Sequence, residues 1–262
     1  MKLFGSETCP VRASRLPALL RCPLNAVLEM LGENSSGPAA DTGSAVHKAA
    51  AAYHTTAKRD VAASLAEMRT FLPEYPLADL GTAEQQFRHY AADPRNQEAN
   101  VVLCEAKVTV VLSPPEGDTT PIEIHGRLDQ VREYRGVLTV YDIKTGGVME
   151  GDEMLSYAAA QLAAYQVGAS ELLGERVASA CIIRTKDYLK TDRKKTPKPG
   201  PVFWSASWVY EDAVALMEEV RRIVGEIRRG HCRVSPSAEN CRYCPGAGVA
   251  NCLGRRRALT LV

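Results

Sequence analysis

Apolar and polar side chains alternate most clearly in residues 122–146. The first part, IEIHGRLDQV, alternates between the two kinds of residue, and the second part, VLTVYDIKT, is rich in β-branched and aromatic residues. Both patterns predict β-strands, and the Arg135-Gly136 pair between them predicts a tight turn. The segment is therefore expected to form a β-hairpin.

Three charged side chains are expected to converge on one face of this hairpin. Asp142 and Lys144 are two positions apart and share a face, and Asp129 is close enough across the hairpin to face the same place. Carboxylate oxygens suit Mg²⁺ or Mn²⁺, and the adjacent lysine could orient a water molecule or stabilise charge on a phosphate. If the D-x-K pattern is considered by itself, the alternative is an exposed hairpin on which Asp142 and Lys144 form a surface ion pair.

The remaining pattern predicts helices and then one strand before the hairpin, and a mixture of helix and strand after it. Helical patterns cover residues 14–31 (interrupted by Pro17 and Pro23), 43–58, two short segments within 60–91, 152–173 and 211–230. Strand patterns cover residues 100–112, 176–185 and 201–209. Three strands followed by a helix and a further strand predict an α/β fold. The 262 residues are enough for one domain with its own core.

Composition limits the classes of protein without naming a function. The net charge of +1 argues against a broadly basic surface, so any nucleic-acid contact must be local. Residues 184–198 are a candidate basic arm, although such a run is more often a solvated loop. We find no long apolar run and no signal-peptide pattern, which predicts a cytoplasmic protein without a membrane partner.

Three motifs in and after the hairpin resemble those of RecB-like nucleases of the PD-(D/E)XK superfamily. They are G-x-x-D at residues 126–129, D-I-K-T-G at 142–146 and Q-x-x-x-Y at 161–165. The resemblance implies a restriction-endonuclease-like core, in which helices flank a central mixed sheet. It also implies hydrolysis of phosphodiester bonds by a water molecule that the metal ion activates.

The resemblance assigns a role to each motif residue. Asp129 and Asp142 would hold Mg²⁺ or Mn²⁺, and Lys144 would position the nucleophilic water. Gln161 and Tyr165, which share one face of a helix, would support the substrate.

An earlier helix carries a possible third metal ligand. G-S-A-V-H at residues 43–47 is similar to a motif of the iron–sulfur type of these nucleases and implies that His47 binds the metal. His54 is out of step with that face and is expected to be a bystander. Glu105 and Lys107 form a rival acid-x-lysine pair, which we set aside because it precedes the G-x-x-D strand. Glu105 could still face the site or face solvent.

The C-terminal cysteines indicate a metal or cluster site. Cys241 and Cys244 form C-x-x-C, Cys252 follows after seven residues, and Cys232 is the nearby option for a fourth ligand. Iron–sulfur RecB-like nucleases instead take one cysteine from near the N-terminus, which Cys22 would match here. This resemblance implies a 4Fe–4S cluster joining residues 1–40 to residues 230–257 within one domain of residues 1–262. Zinc is the alternative, since thiolates bind both.

These observations predict a metal-dependent deoxyribonuclease. The resemblance, which extends to CRISPR-adaptation (Cas-type) exonucleases and AddB-type recombination subunits, implies an exonuclease acting on single-stranded DNA or DNA ends. Such an enzyme would work in recombination, repair or CRISPR-type processing, with helicase or CRISPR partners. One alternative is a nucleic-acid-binding adaptor that keeps the nuclease fold without turnover. Another is a zinc-stabilised enzyme acting on RNA.

Overall fold

The computed structural model describes residues 3–31, 37–56, 58–146, 151–185, 201–235 and 259–260. Its helices are α1 (Leu16–Arg21), α2 (Pro23–Leu31), α3 (Pro38–Thr55), α4 (Val61–Thr70), α5 (Leu80–Ala92), α6 (Pro94–Gln97), α7 (Gly151–Leu173) and α8 (Tyr210–Arg228). Its strands are β1 (Val11–Arg12), β2 (Asn100–Leu112), β3 (Ile122–Tyr134), β4 (Val137–Lys144), β5 (Val177–Arg184), β6 (Val202–Ser205), β7 (His231–Cys232) and β8 (Leu259–Thr260).

Strands β1 to β6 form one mixed sheet, as the α/β prediction requires. The order is β1-β3-β4-β5-β6, with β2 also pairing with β3. The β1–β3 and β4–β5 pairs are parallel, and the others in this sheet are antiparallel. The predicted hairpin is β3–β4, and its turn has positive φ at both Arg135 (52°) and Gly136 (76°), a conformation that fits the twist of a two-residue hairpin loop.

Helices cover both faces of the sheet. On one face, α1, α2, α7 and α8 bury a core that includes Leu128, Val140 and Ile182. On the other face, α3, α4 and α5 pack around Ile143 and Ile183. Alternate residues of β4 and β5 thus enter different cores, which is why both strands are apolar over most of their length.

The first half of the chain differs from the sequence prediction at α3. The segment before residue 43 was expected to be a loop, but α3 begins at Pro38, with Gly37 as its N-cap residue. Proline fits the first helical turn because its φ is already suitable and its missing N–H would have no partner there. His47 therefore lies in the middle of α3 and not in its first turn.

Two further predictions differ in extent or fall outside the described residues. Strand β6 spans only Val202–Ser205 of the predicted 201–209. The basic segment lies outside the described residues from position 186 onward, as do the three C-terminal cysteines. None of the helices in the described ranges is both long and apolar enough to cross a membrane.

Candidate active site

Strands β2 and β3 lose their regular alternation at the same level of the sheet. Leu103 and Ala106 both pack against the core beneath α7 and α8, and so do their partners Val131 and Leu128. Residues three apart in a regular strand point to opposite faces, so each strand changes face here. Glu105, at the centre, has the positive φ of 49° that marks the irregularity. Because of this change, the side chains of Glu105 and of its neighbour on β3, Asp129, can face α3.

Three side chains meet at this irregularity. His47 comes from α3, Glu105 from β2 and Asp129 from β3, and one potential ligand atom of each lies within 4.8 Å of those of the other two. His47 Nδ1 is 2.9 Å from Asp129 Oδ1. The second oxygen, Asp129 Oδ2, accepts a hydrogen bond of 2.5 Å from the backbone N–H of Ile143, which fixes the carboxylate on the sheet.

A second group joins the end of β4 to α7. Lys144 Nζ lies 2.7 Å from Asp142 Oδ2 and donates to Gln161 Oε1 at 3.1 Å. Gln161 Nε2 in turn faces Asp142 Oδ1 at 3.4 Å and the Tyr165 hydroxyl at 3.0 Å. The Gln161 amide therefore orients the acid and the lysine, while Tyr165 orients the amide.

The Asp129 carboxylate lies close enough to Asp142 and Glu105 to oppose the charge on both of them. Burial opposes the charge on Asp142 and raises its pKa; Lys144 lowers it and Asp129 raises it further. Burial and Asp129 likewise raise the pKa of Glu105. Burial alone would lower the pKa of His47, yet the charge of Asp129 and their hydrogen bond raise it to about 9. A bound divalent cation would replace the His47 proton and stabilise the ionised form of these carboxylates.

Two motif glycines allow the helices to approach the site closely. A Cβ at position 126 would lie 2.6 Å from Tyr165 Cε1, so the glycine of G-x-x-D makes room for the tyrosine of Q-x-x-x-Y. A Cβ at position 43 would lie 2.7 Å from Thr145 Oγ1. The glycine of the His47 motif thus lets α3 approach the residue that follows Lys144.

These groups line one cleft of about 520 Å³ between α3, α7 and the strand ends. Its lining also includes Lys48, Arg127 and Tyr75. Arg127 pairs with Glu105 across β2 and β3 at 3.6 Å, and half of its side chain is exposed. The cleft therefore combines an acidic floor with two cations and an aromatic ring in its lining, a suitable surface for a phosphate chain.

The structure brings together every described residue that the sequence motifs select for catalysis. His47, Asp129, Asp142, Lys144, Gln161 and Tyr165 all line the cleft. Sequence reasoning left Glu105 undecided. The apolar residues around it give no signal of its role by themselves, because the change of face between Leu103 and Ala106 becomes visible only in their pairing with β3.

The donor set suits a hard divalent cation. Two carboxylates and an imidazole surround one point, and Mg²⁺ and Mn²⁺ favour oxygen-rich sites of this kind. Asp142 is buried in the same cleft and its Oδ2 pairs with Lys144 at 2.7 Å, so a cation bound there would share this carboxylate with the lysine.

Of the predicted cysteine ligands, Cys22 and the alternative Cys232 lie within the described residues. Cys22 is buried at the break between α1 and α2. Burial, followed by the charge of Cys22, raises the pKa of the Cys232 thiol to about 11. The backbone N–H of Leu24 donates to Arg233 O at 3.4 Å. The N-terminal helices thus contact the segment that leads to C-x-x-C, which lies outside the described residues.

Comparisons with known proteins identify one family for the chain. The solved structure described as "Crystal structure of SSO0001" is similar at 15% identity and a TM-score of 0.40, covering 90% of this chain and 94% of that one. No curated protein is similar enough in sequence to count as a match. The family model described as "PD-(D/E)XK nuclease superfamily" matches residues 11–249. The chain therefore belongs to the PD-(D/E)XK nuclease superfamily, whose nucleases use divalent metal ions.

Proposed function

We propose that this protein is a Mg²⁺- or Mn²⁺-dependent deoxyribonuclease that removes nucleotides from single-stranded DNA or DNA ends. The observation that carries the proposal is the convergence of His47, Glu105 and Asp129 beside the Asp142–Lys144 pair in one cleft. An adaptor that only binds nucleic acid has no need of a cation site next to an oriented lysine.

Each side chain has a distinct part in the proposed reaction. His47, Glu105, Asp129 and Asp142 would hold the cation, which when bound polarises a phosphate oxygen and lowers the pKa of a water molecule. Lys144, held by Asp142 and Gln161, presents its ammonium group where it can orient the water or stabilise charge on the phosphate.

The substrate assignment rests on the cleft and on the RecB-like motifs. A volume of about 520 Å³ matches a nucleotide unit of one strand. Lys48 and Arg127 in the lining can contact neighbouring phosphates. The exonuclease mode and a role in recombination, repair or CRISPR-type processing follow from the resemblance of the motifs.

We further propose that Cys22, Cys241, Cys244 and Cys252 hold a 4Fe–4S cluster with a structural role. The burial of Cys22 and the hydrogen bond from Leu24, two residues further on, to Arg233 support this ligand set. The same thiolates would also accept zinc, and the colour and metal content of the purified protein distinguish the two.

Degradation of labelled single-stranded DNA tests the function. Linear and circular substrates would be incubated with Mg²⁺, Mn²⁺ or EDTA and with wild type, Asp142→Asn or Asp152→Asn, an exposed acid on α7. We expect metal-dependent loss of the linear strand only, abolished in Asp142→Asn and unchanged in Asp152→Asn. Cleavage of the circle would contradict the exonuclease mode. No cleavage by folded wild type would favour the adaptor, and a preference for RNA would contradict the DNA assignment.

A further inference from the structure

A second cavity, of about 280 Å³, lies beside the cleft along α7. Its lining includes Pro17 and Leu20 from α1 and Tyr157 from α7. The Arg21 guanidinium carbon lies 4.2 Å from the centre of the Tyr157 ring, and the Arg21 Nε–H donates to the Pro17 carbonyl at 3.2 Å. The cavity thus presents a flat cation–aromatic pair on a partly apolar floor.

The position of Tyr157 connects this cavity to the catalytic groups. Tyr157, Gln161 and Tyr165 are spaced four residues apart and lie along one face of α7. Tyr157 lies one helical turn, about 6 Å, from Gln161 along the helix. The Gln161 amide contacts both Lys144 and Asp142. A strand lying in the cleft would therefore have its next nucleotide close to the Tyr157 ring.

The chemistry of the cavity suits a base better than a phosphate. Glu153 also lines it, so the charge of Arg21 is offset and a phosphate gains little there. Tyr157 remains 37% exposed although it is a large aromatic residue, which leaves area for stacking. Bases of single strands stack on aromatic rings and on arginine planes, whatever their sequence.

We propose that Arg21 and Tyr157 form a platform on which one unpaired nucleobase stacks, next to the phosphate held at the cation site. This proposal rests on the proposed nuclease function for the identity of its ligand. The pair positions the strand and takes no part in the chemical step. The base must leave its partner strand to reach the ring, which makes the platform a selector for single-stranded DNA.

Fluorescence of 2-aminopurine tests the platform independently of cleavage. Nuclease-resistant phosphorothioate single strands, each with one 2-aminopurine at a different position, would be titrated in Mg²⁺ with wild type, Tyr157→Ala or Tyr157→Phe. The matched control is Tyr134→Ala, because Tyr134 is 69% exposed and Arg135 lies over its ring at 5.1 Å, in the turn at the end of the hairpin.

We expect quenching at one position only, lost in Tyr157→Ala with about ten-fold or greater weakening of binding, and kept in Tyr157→Phe and Tyr134→Ala. With cleavable DNA, Tyr157→Ala should raise KM and leave kcat within about three-fold. An abasic residue at the quenched position should remove the difference between wild type and Tyr157→Ala.

Unchanged quenching and affinity in Tyr157→Ala would overturn the platform, as would equal losses in Tyr157→Phe or Tyr134→Ala. Position-specific quenching by a protein that cleaves nothing would contradict the nuclease proposal and support the platform. Normal cleavage with no position-specific quenching would contradict the platform and support the nuclease proposal.

Discussion

Glu105 combines an unfavourable backbone conformation with a place in the candidate metal site. A positive φ at a non-glycine residue costs on the order of 1–3 kcal/mol and persists only where the surroundings enforce it. Here the enforcing contacts are the β2–β3 pairs that come before and after Glu105 along the strand and the ion pair with Arg127. The conformation directs the carboxylate towards His47 and Asp129, so the strain and the cation site have the same structural origin.

Substitution of each lysine tests whether Lys144 or Lys107 takes part in catalysis. Lys144→Met should reduce the single-turnover cleavage rate by about 100-fold or more, because it removes the ammonium group beside Asp142. Lys107→Met should have little effect, because Lys107 is exposed on β2. Rapid-quench cleavage assays measure both. A larger loss in Lys107→Met would mean that the catalytic lysine belongs to the earlier strand.

His54 belongs to a buried network and not to the site. The Tyr90 hydroxyl accepts hydrogen bonds from Gln130 and Arg132, each at 2.9 Å, so its own proton points to His54 Nε2 at 2.7 Å. His54 is therefore an acceptor and neutral. Burial, followed by the charges of Arg132 and Arg59, lowers its pKa to about 3.

This network predicts a loss of stability in acid. Between pH 6.5 and 3 the unfolded chain protonates His54 and the folded chain does not, so the free energy of unfolding falls as pH falls. The contribution approaches about 1.4 kcal/mol per pH unit. Denaturant titrations at pH 7, 6 and 5 should show a steeper loss for wild type than for His54→Gln. Parallel losses in the two proteins would contradict the neutral, buried imidazole.

At the scale of elements, the approach of α3 to the end of β4 determines the site. His47 reaches Asp129 only because α3 passes close to Thr145, and Gly43 is the point of closest approach. A side chain there would push the helix away from the sheet. The glycine is therefore a packing requirement of the candidate metal site.

Two helical glycines test this packing. Gly43→Ala should destabilise the protein by about 1–3 kcal/mol and weaken Mn²⁺ binding, because its Cβ would lie 2.7 Å from Thr145 Oγ1. Gly81→Ala in α5 should be neutral or stabilising by up to about 1 kcal/mol, because its nearest contact would be 3.5 Å away. Thermal unfolding and Mn²⁺ titration measure both. Equal behaviour of the two variants would show that α3 does not depend on the small residue.

The sequence predicted elements better than their ends. The sequence predicted β2, the β3–β4 hairpin and α7 almost to the residue, because the strands are long and rich in β-branched residues and the helix is a long segment rich in Ala and Leu. It missed the first turns of α3, since Gly37-Pro38 is as common in loops as at helix starts. It also left Glu105 undecided, because a change of face within a strand arises from pairing with β3. Periodicity within one strand cannot show that.

At the scale of the whole molecule, the two ends of the described chain meet beside the nuclease core. Arg228 Nε donates to Phe4 O at 2.8 Å, and Leu24 contacts Arg233. A cluster held by Cys22 and the C-terminal cysteines would fasten the same junction. The sequence indicated this joining only through the family resemblance, since residues so far apart share no local pattern.

Iron content tests the proposed cluster ligands. Cys22→Ala should lose iron, sulfide and the absorbance near about 400 nm typical of thiolate–iron bonds, with a large drop in melting temperature. Cys181→Ala should keep all three, because Cys181 is buried in β5 beneath other side chains. Iron loss in Cys232→Ala but not in Cys22→Ala would move the fourth ligand to Cys232. Stoichiometric zinc in colourless, anaerobically purified wild type would contradict the cluster.

The central claim is that α3 and the irregular part of β2 and β3 build a divalent-cation site. The most direct test is Mn²⁺ binding followed by electron paramagnetic resonance, with Glu67→Gln as an exposed-carboxylate control on α4. We predict saturable binding to wild type and Glu67→Gln, weakened at least about ten-fold in both Asp129→Asn and Glu105→Gln. Binding by those two variants as tight as that of wild type, or no saturable binding to folded wild type, would contradict the account.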